Sequence, residues 1–124
     1  MLKGRTILIV EDEPLIALDL AELVEDQGGR VVGPVPTVEE GLSLAGSSDA
    51  AGAILDANLE DRDVTQLALA LIEKGTPFVI YTGTGLPKAL ERLHPDLPVV
   101  MKPTQTRAVL EALDRRIEAK QRPE

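Results

Sequence analysis

The side chains in this sequence that could do chemistry together lie in four short stretches. They are an acidic run at residues 11–13, the Asp56 and Asn58 pair, and single polar side chains at Thr82 and Lys102. Each stretch directly follows a short apolar run, so each would stand at the end of a buried element. Several carboxylates, one hydroxyl and one amine can together bind a phosphate group beside a hard metal cation.

The acids could form a magnesium site. Carboxylates that crowd together repel one another and therefore favour a divalent cation with oxygen ligands. Mg²⁺ in proteins usually takes one or two carboxylates, retains water molecules and holds phosphate oxygens. We expect Asp12 and Asp56 to supply the carboxylates and the backbone carbonyl of Asn58 to be a third protein ligand.

The same stretches could support phosphoryl transfer. A carboxylate such as that of Asp56 can attack phosphorus as a nucleophile and form an acyl phosphate. Catalysis of this step is mainly positioning and charge neutralisation, which a metal, the Lys102 ammonium and the Thr82 hydroxyl could provide. Each residue alone could be an ordinary turn, cap or surface residue, but the four stretches in combination favour a functional site.

Five short apolar runs predict the strands that would position these groups. The runs are rich in Val, Ile and Leu, which is typical of strands buried on both faces of a parallel sheet. Pro34 and Pro36 place the second run near a sheet edge, because proline cannot donate to a strand ladder. The predicted strands are residues 6–10, 31–35, 51–55, 78–81 and 99–101.

Amphipathic segments between these runs predict five helices. Thr37 and Glu40 form a capping-box pattern, and a pair of glycines ends the first helix. The predicted helices are residues 14–27, 38–45, 65–73, 87–93 and 105–120.

This alternation predicts an α/β fold: a doubly wound, five-stranded parallel sheet in the order 2-1-3-4-5, with helices on both faces, of the flavodoxin-like type. We expect residues 1–124 to form a single domain. In open sheets of this type, ligands bind outside the carboxyl ends of the strands. The four polar stretches should therefore meet at one edge of the sheet.

Composition excludes several classes of function. The net charge of −8 and the scarcity of aromatic residues, one Phe and one Tyr, argue against direct binding of nucleic acid. The absence of cysteine rules out disulfides and thiolate chemistry. No apolar run approaches the length of a membrane span, so we expect no membrane association and a cytoplasmic location.

The ordered set of motifs resembles the response-regulator receiver family of two-component signalling, across essentially the whole chain. The motifs are the strand-one run that ends in Glu11-Asp12-Glu13, Asp56 at a strand end, Thr82-Gly83 and Lys102-Pro103. The resemblance implies that Asp56 accepts a phosphoryl group from a histidine kinase or a phosphotransfer protein. It also implies a signalling role through conformational change, and not an enzyme.

The resemblance assigns roles to the other site residues. The residue that matches Asp12 binds Mg²⁺, and Glu11 would assist through water. Lys102 would contact the phosphoryl oxygens, with a cis peptide bond to Pro103, and Thr82 would be the switch hydroxyl. Family members usually bind partners or dimerise through the fourth and fifth helices, so a homodimer through these helices is an expectation. In this region, Leu86, Leu90 and Leu93 could belong to that face or to the core.

The sequence departs from the family pattern at two places. Val99 stands where most receivers have an aromatic residue that couples to the switch hydroxyl, and residues 56–64 lack the usual Pro and Gly. Residues 77–85 are similar to an atypical, mostly single-domain subgroup named for a Phe-Ala-Thr-Gly-x-Tyr run. Tyr81 is expected to pack in the sheet, with a surrogate switch role left open, and His94 is expected to be an exposed turn residue.

Two other functions compete with the phosphoacceptor. A pseudo-receiver, which would act as an interaction module without phosphorylation, is motivated by these departures. An aspartyl phosphatase is disfavoured, because its nucleophile would open an Asp-x-Asp run after strand one, where this chain has Glu-Asp-Glu. No effector segment follows the last helix, and the tail at residues 121–124 is short and polar, so the chain is either a single-domain regulator or an excised receiver; the start at Met1 and the lack of a linker favour the former.

Overall fold

The computed structural model describes residues 2–121, in which five strands alternate with five helices. The expectations that concern Met1 and residues 122–124 lie outside the described residues. The strands are β1 (Thr6–Val10), β2 (Arg30–Val35), β3 (Gly52–Leu55), β4 (Phe78–Thr82) and β5 (Val99–Met101). The helices are α1 (Pro14–Asp26), α2 (Val38–Ser47), α3 (Thr65–Lys74), α4 (Lys88–Leu93) and α5 (Thr106–Gln121).

The strands form one parallel sheet in the order β2-β1-β3-β4-β5. This confirms the predicted flavodoxin-like fold and places the proline-containing β2 at an edge. The predicted strand ends are correct to within one residue. The one shift that affects the site is at Thr82, which is the last residue of β4 and pairs with Met101, although we expected it to follow the strand.

Alternate residues of the central strands supply two separate cores. In β1, Leu8 and Val10 belong to a cluster with α2 and α3, whereas Ile7 and Ile9 belong to a cluster with α1 and α5. This is the period of two expected of a strand, applied to a sheet that is covered on both faces. Because every residue of β3 is buried, the end of this strand is a rigid platform for whatever follows it.

Local signals explain several element ends. The Thr37 hydroxyl accepts a hydrogen bond from Glu40 N at 3.1 Å and caps α2, as the capping-box pattern predicts. Helix α2 continues to Ser47, two residues beyond the predicted end. At the edge strand, Gly33 has a φ of +93°, and a Cβ there would lie 2.7 Å from the carbonyl oxygen of Ile9. Glycine is therefore required where β2 shifts its register against β1.

The region of α4 resolves an open question about its leucines. Leu90 is fully buried in the core and Leu86 is half-buried against it, whereas Leu93 is 61% exposed. Leu93 is therefore the one of the three that is available at the surface. His94, expected to be exposed, is half-buried at the end of α4. Among residues 2–121, no helix is both long enough and apolar enough to span a membrane.

Candidate functional site

The carboxyl ends of the four strands β1, β3, β4 and β5 bring the predicted residues together. Hydrogen bonds of the ladder type continue one residue past the strands. Asp56 N donates to Val10 O at 2.9 Å, and Lys102 N donates to Thr82 O at 2.7 Å. Because the backbone is fixed up to these residues, Asp56 and Lys102 project from rigid positions.

Lys102 lies at the centre of the site. Its Nζ atom is 2.5 Å from Glu13 Oε2, 3.1 Å from Glu11 Oε1 and 3.5 Å from Asp56 Oδ2. The Lys102 side chain is only 13% exposed, and Asp56 and Glu11 are both buried. One cation therefore contacts three carboxylates, two of which are buried.

Four carboxylates converge closely enough to hold a metal ion. The oxygens available from Glu11, Asp12, Glu13 and Asp56 lie within 4.8 Å of one another. Glu11 Oε1 is buried and forms an ion pair with Lys102, but accepts no hydrogen bond within residues 2–121. A cluster of this kind, with an unsatisfied buried oxygen, has the donor set that a hard cation requires.

The pKa values report the same crowding of negative charge. Burial, to which the neighbouring Asp56 carboxyl adds, raises the pKa of Glu11 to about 8. Burial and then Asp56 also raise the pKa of Asp12. Burial opposes the charged form of Lys102, but hydrogen bonds from its ammonium to Glu13 and Glu11 outweigh this cost and raise its pKa. Lys102 is therefore firmly cationic, whereas Glu11 and Asp12 lose their protons less readily than exposed acids do.

A hydrogen-bonded group of neutral side chains forms the opposite wall. The Thr82 hydroxyl is fully buried and lies 3.2 Å from the Thr84 hydroxyl. Thr84 Oγ1 also accepts a hydrogen bond from Asn58 Nδ2 at 2.7 Å. Between this wall and the acids lies an open cleft of about 410 Å³, lined by Asp12, Glu13, Asp56, Asn58, Thr82, Gly83, Thr84 and Lys102.

Tyr81 packs in the sheet, as predicted, and also makes polar contacts. It is 4% exposed, and its hydroxyl donates to Thr104 O at 2.5 Å. Lys102 Nζ lies 5.4 Å from the centre of its ring. The Lys102–Pro103 peptide bond is cis, as the family resemblance implied. Val99, at the position where most receivers have an aromatic residue, is half-buried and pairs with Ile80.

Sequence reasoning missed two residues of this site. Glu13 was recognised as part of the acidic run, but not as the partner nearest to Lys102. Thr84 was not assigned any role, although it links Thr82 to Asn58. Its position two residues after Thr82 was the available signal. Both contacts depend on side-chain reach across the edge of the sheet, which spacing along the chain does not reveal.

Comparison with known proteins gives two relatives that share part of the sequence. The chain is 50% identical over 56 residues to the phyllosphere-induced regulator PhyR of Methylorubrum extorquens. These residues make up 44% of this chain and 21% of PhyR. It is 33% identical over 89 residues to the transcriptional regulatory protein PdtaR of Mycobacterium tuberculosis, which is 71% of this chain and 43% of PdtaR. The chain thus spans less than half the length of either relative. No family model matches the sequence.

Solved structures match nearly the whole chain. SdrG of Sphingomonas melonis Fr1 is 36% identical, with a TM-score of 0.74 and coverage of 91% of this chain and 98% of SdrG. A response regulator receiver protein of Sinorhizobium medicae shares the fold, at 22% identity, a TM-score of 0.82 and coverage of 95% and 98%. So does the receiver domain of the sensor histidine kinase PA1611 of Pseudomonas aeruginosa, at 20% identity, a TM-score of 0.78 and coverage of 93% and 98%. That domain has a magnesium ion in its active-site cleft.

The chain belongs to the response-regulator receiver family of two-component signalling. Its sheet order and five helices match the receiver fold of its structural neighbours.

Proposed function

We propose that this chain accepts a phosphoryl group on Asp56 and signals by the conformational change that follows. The observation that carries the proposal is the position of Asp56. Its carboxylate is buried at the end of the rigid strand β3, faces the cleft and lies 3.5 Å from Lys102 Nζ. Such a carboxylate is held in position to attack phosphorus, and the nearby Lys102 ammonium can bind the oxygens of an incoming phosphoryl group.

The donor would be a histidine kinase or a phosphotransfer protein. An Asp56 oxygen would form the new bond to phosphorus, and the P–N bond of a phosphohistidine would break. The imidazole nitrogen would keep the electron pair of that bond and later take up a proton. Family membership supports this donor class, since receivers take part in two-component signalling.

The residues of the acidic cluster fit a magnesium ion. Asp12 and Asp56 would bind it through their carboxylates and Asn58 through its backbone carbonyl, with Glu11 assisting through water. The close approach of the acidic oxygens and the unsatisfied Glu11 Oε1 support this assignment, as does the magnesium ion in the cleft of the PA1611 receiver domain. When bound, Mg²⁺ would neutralise charge on the phosphoryl oxygens.

Lys102 and Thr82 would respond to the phosphoryl group. The Lys102 ammonium would donate to a phosphoryl oxygen, and the Thr82 hydroxyl would turn from Thr84 towards the phosphoryl group. Val99 cannot couple to Thr82 as an aromatic residue would. Tyr81 directly precedes Thr82 and its ring centre lies 5.4 Å from Lys102 Nζ, and it would be the aromatic residue that takes part in its stead.

The output surface would involve α4 and α5. Leu93, which is 61% exposed at the end of α4, would be part of this partner-binding or homodimer surface. Sedimentation of the protein with and without beryllofluoride would test this. A mass that stays monomeric in both conditions would exclude the homodimer.

The alternative is a pseudo-receiver that binds partners without being phosphorylated. Val99 is the observation that favours it, because the usual link between the switch hydroxyl and an aromatic ring is missing. The two functions differ in a single observable, which is covalent phosphorylation of Asp56.

Acetyl phosphate with Mg²⁺, followed by intact mass spectrometry, distinguishes the two functions. The wild-type chain should gain the mass of one phosphoryl group, and Asp56→Asn should gain none. Asp49→Asn removes an exposed acid far from the site and should behave as wild type. No gain in the wild type with excess Mg²⁺ would favour the pseudo-receiver, and a gain that persists in Asp56→Asn would move the acceptor elsewhere.

A further inference from the structure

We infer that Glu13 is a positioning residue: its carboxylate restrains Lys102 in the resting chain, and this ion pair must open before Lys102 can serve a phosphoryl group. The inference rests on the proposed phosphorylation of Asp56. It assigns Glu13 a role separate from the metal ligands, which the acidic run alone does not suggest.

The distances around Lys102 rank its partners. Its Nζ atom lies 2.5 Å from Glu13 Oε2 but 3.5 Å from Asp56 Oδ2. Glu11 is intermediate, at 3.1 and 3.2 Å to its two oxygens. An ammonium has three donors, so in the resting chain they are directed mainly at the two glutamates and only weakly at the phosphoacceptor.

The two glutamates differ in how firmly they are held. Glu11 is buried, and its Oε2 also accepts a hydrogen bond from Glu13 N at 3.2 Å. The Glu13 side chain is 56% exposed, and it makes no capping hydrogen bond to α1 although Glu13 is the N-cap residue. Within residues 2–121, its carboxylate has one ion-pair partner, Lys102. Glu13 is therefore the partner that can move away.

The ion pair between Glu13 and Lys102 lies where it can affect phosphoryl transfer to Asp56. Glu13 and Lys102 both line the cleft through which a phosphodonor would reach Asp56. Lys102 Nζ lies 5.4 Å from the centre of the buried Tyr81 ring, and Lys102 N donates a hydrogen bond to Thr82 O, so a change of partner would involve the side chain and not the backbone. Partly exposed ion pairs are weak, so an incoming phosphoryl group can compete successfully with Glu13 for the ammonium.

Removal of the Glu13 charge should therefore favour the state in which a phosphoryl group, or a stand-in for it, is bound at Asp56. We expect Glu13→Gln to bind beryllofluoride, a stand-in for the phosphoryl group, about threefold to fivefold more tightly than wild type, which corresponds to loss of a partly exposed ion pair. Glu60→Gln is the matched control: Glu60 is also exposed and follows Asp56 by four residues, but within residues 2–121 Lys102 pairs with Glu11, Glu13 and Asp56 and not with Glu60. Its affinity should change by less than about twofold, since exposed charges are screened.

Two measurements make the test specific. Affinities are compared at Mg²⁺ concentrations that saturate each variant, so that a change in metal binding does not enter. The amine reactivity of Lys102 is followed by acylation and peptide mass spectrometry, with the exposed Lys88 as internal reference. Glu13→Gln should raise acylation of Lys102 and leave Lys88 unchanged.

The outcomes separate this inference from the function on which it rests. Tighter binding by Glu13→Gln alone, with higher acylation of Lys102, supports the restraint. Binding no tighter than that of Glu60→Gln, or unchanged acylation, overturns it while leaving the proposed function intact. If the wild type binds no beryllofluoride, the proposed function fails and this inference fails with it.

Discussion

The loop of residues 56–64, after β3, is held by backbone and carboxylate hydrogen bonds to neighbouring elements, whereas the loop of residues 83–87, after β4, is held mainly through threonine hydroxyls. We refer to them as the β3–α3 loop and the β4–α4 loop. Both border the cleft above Asp56, but they differ in sequence, burial and bonding.

The β3–α3 loop is packed as well as bonded. Ala57, Leu59 and Val64 are buried in the core. The Asp61 carboxylate accepts hydrogen bonds from Val38 N at 2.8 Å and from the next backbone nitrogen at 3.1 Å, which ties the loop to the start of α2. Glu60 N also donates to a carbonyl oxygen of the β2–α2 connection at 3.2 Å. This loop needs no Pro or Gly to keep its shape.

The β4–α4 loop has few such constraints. Gly83 and Thr84 are exposed, and a Cβ built on Gly83 would meet nothing within 4 Å. Its ties are the bonds of Thr84, from Thr84 N to Thr82 Oγ1 at 3.1 Å and from Asn58 Nδ2 to Thr84 Oγ1. The comparison indicates that the β3–α3 loop acts as a fixed wall, and that the loop next to the switch hydroxyl can be rearranged at low cost.

The largest expected effect comes from the core of the fixed wall. Leu59→Ala should lower the free energy of unfolding by about 2–4 kcal/mol, because it removes buried methyl groups and leaves a cavity. Leu86→Ala, the half-buried leucine of the β4–α4 loop, should cost only about 1 kcal/mol by the same principle. Urea denaturation followed by circular dichroism measures both. Equal losses would contradict the contrast between the loops.

Asp61 should make a smaller contribution that depends on pH. Although the little burial it has opposes the charge, hydrogen bonds from Val38 N and Glu39 N hold the pKa of Asp61 below its ordinary value of 3.8. Because the pKa of Asp61 is lower in the folded state, its charge stabilises the fold fully at pH values above its ordinary pKa. That stabilisation is lost as the pH falls through the folded-state pKa.

Asp61→Asn should therefore lower the urea midpoint at pH 7 by less than Leu59→Ala does. The difference from wild type should shrink as the pH falls below 4, a limit set by the ordinary pKa of Asp61. Asp49→Asn, at another exposed aspartate, should leave the midpoint unchanged at each pH. A pH-independent effect of Asp61→Asn would show that its carboxylate charge is not what ties the loop to α2.

Backbone conformation should matter at one position of the β4–α4 loop. Gly85 has a φ of +82°, so Gly85→Ala should cost about 1 kcal/mol, the penalty for placing a Cβ in the left-handed region. Gly83→Ala is the matched control, since Gly83 has an ordinary φ and open space around it. Its effect should stay within about 0.5 kcal/mol. Equal stabilities for the two variants in urea would contradict this assignment.

The smallest effect on stability should be at Thr84. Thr84→Val removes the hydroxyl that bridges Thr82 and Asn58, but the site is exposed, so the free energy of unfolding should change by less than about 0.5 kcal/mol. Amide hydrogen exchange in residues 83–86 should nevertheless become faster, while exchange in residues 57–64 stays unchanged. Slower or unchanged exchange in residues 83–86 would show that Thr84 does not restrain this loop.

Much of the fold could be predicted, because strong local signals specify it. Buried runs such as residues 6–10 and the Thr37–Glu40 capping pattern act over a few residues, and both were confirmed. The predicted end of β4 was one residue too early. Thr82 belongs to the strand because it pairs with Met101, which the Thr82 side chain does not signal. The role of Asp61 was missed for the same reason: its partners at residues 38 and 39 are more than twenty positions away in sequence.

The candidate site divides along the same line. The order of residues along the chain specifies which groups follow each strand, and a parallel sheet brings these groups to one edge whatever the side chains are. How the groups pair depends on the folded structure. Lys102 lies nearer to Glu13 than to Asp56, and Thr82 bonds to Thr84, because side-chain reach and burial across that edge select partners that no spacing along the chain encodes.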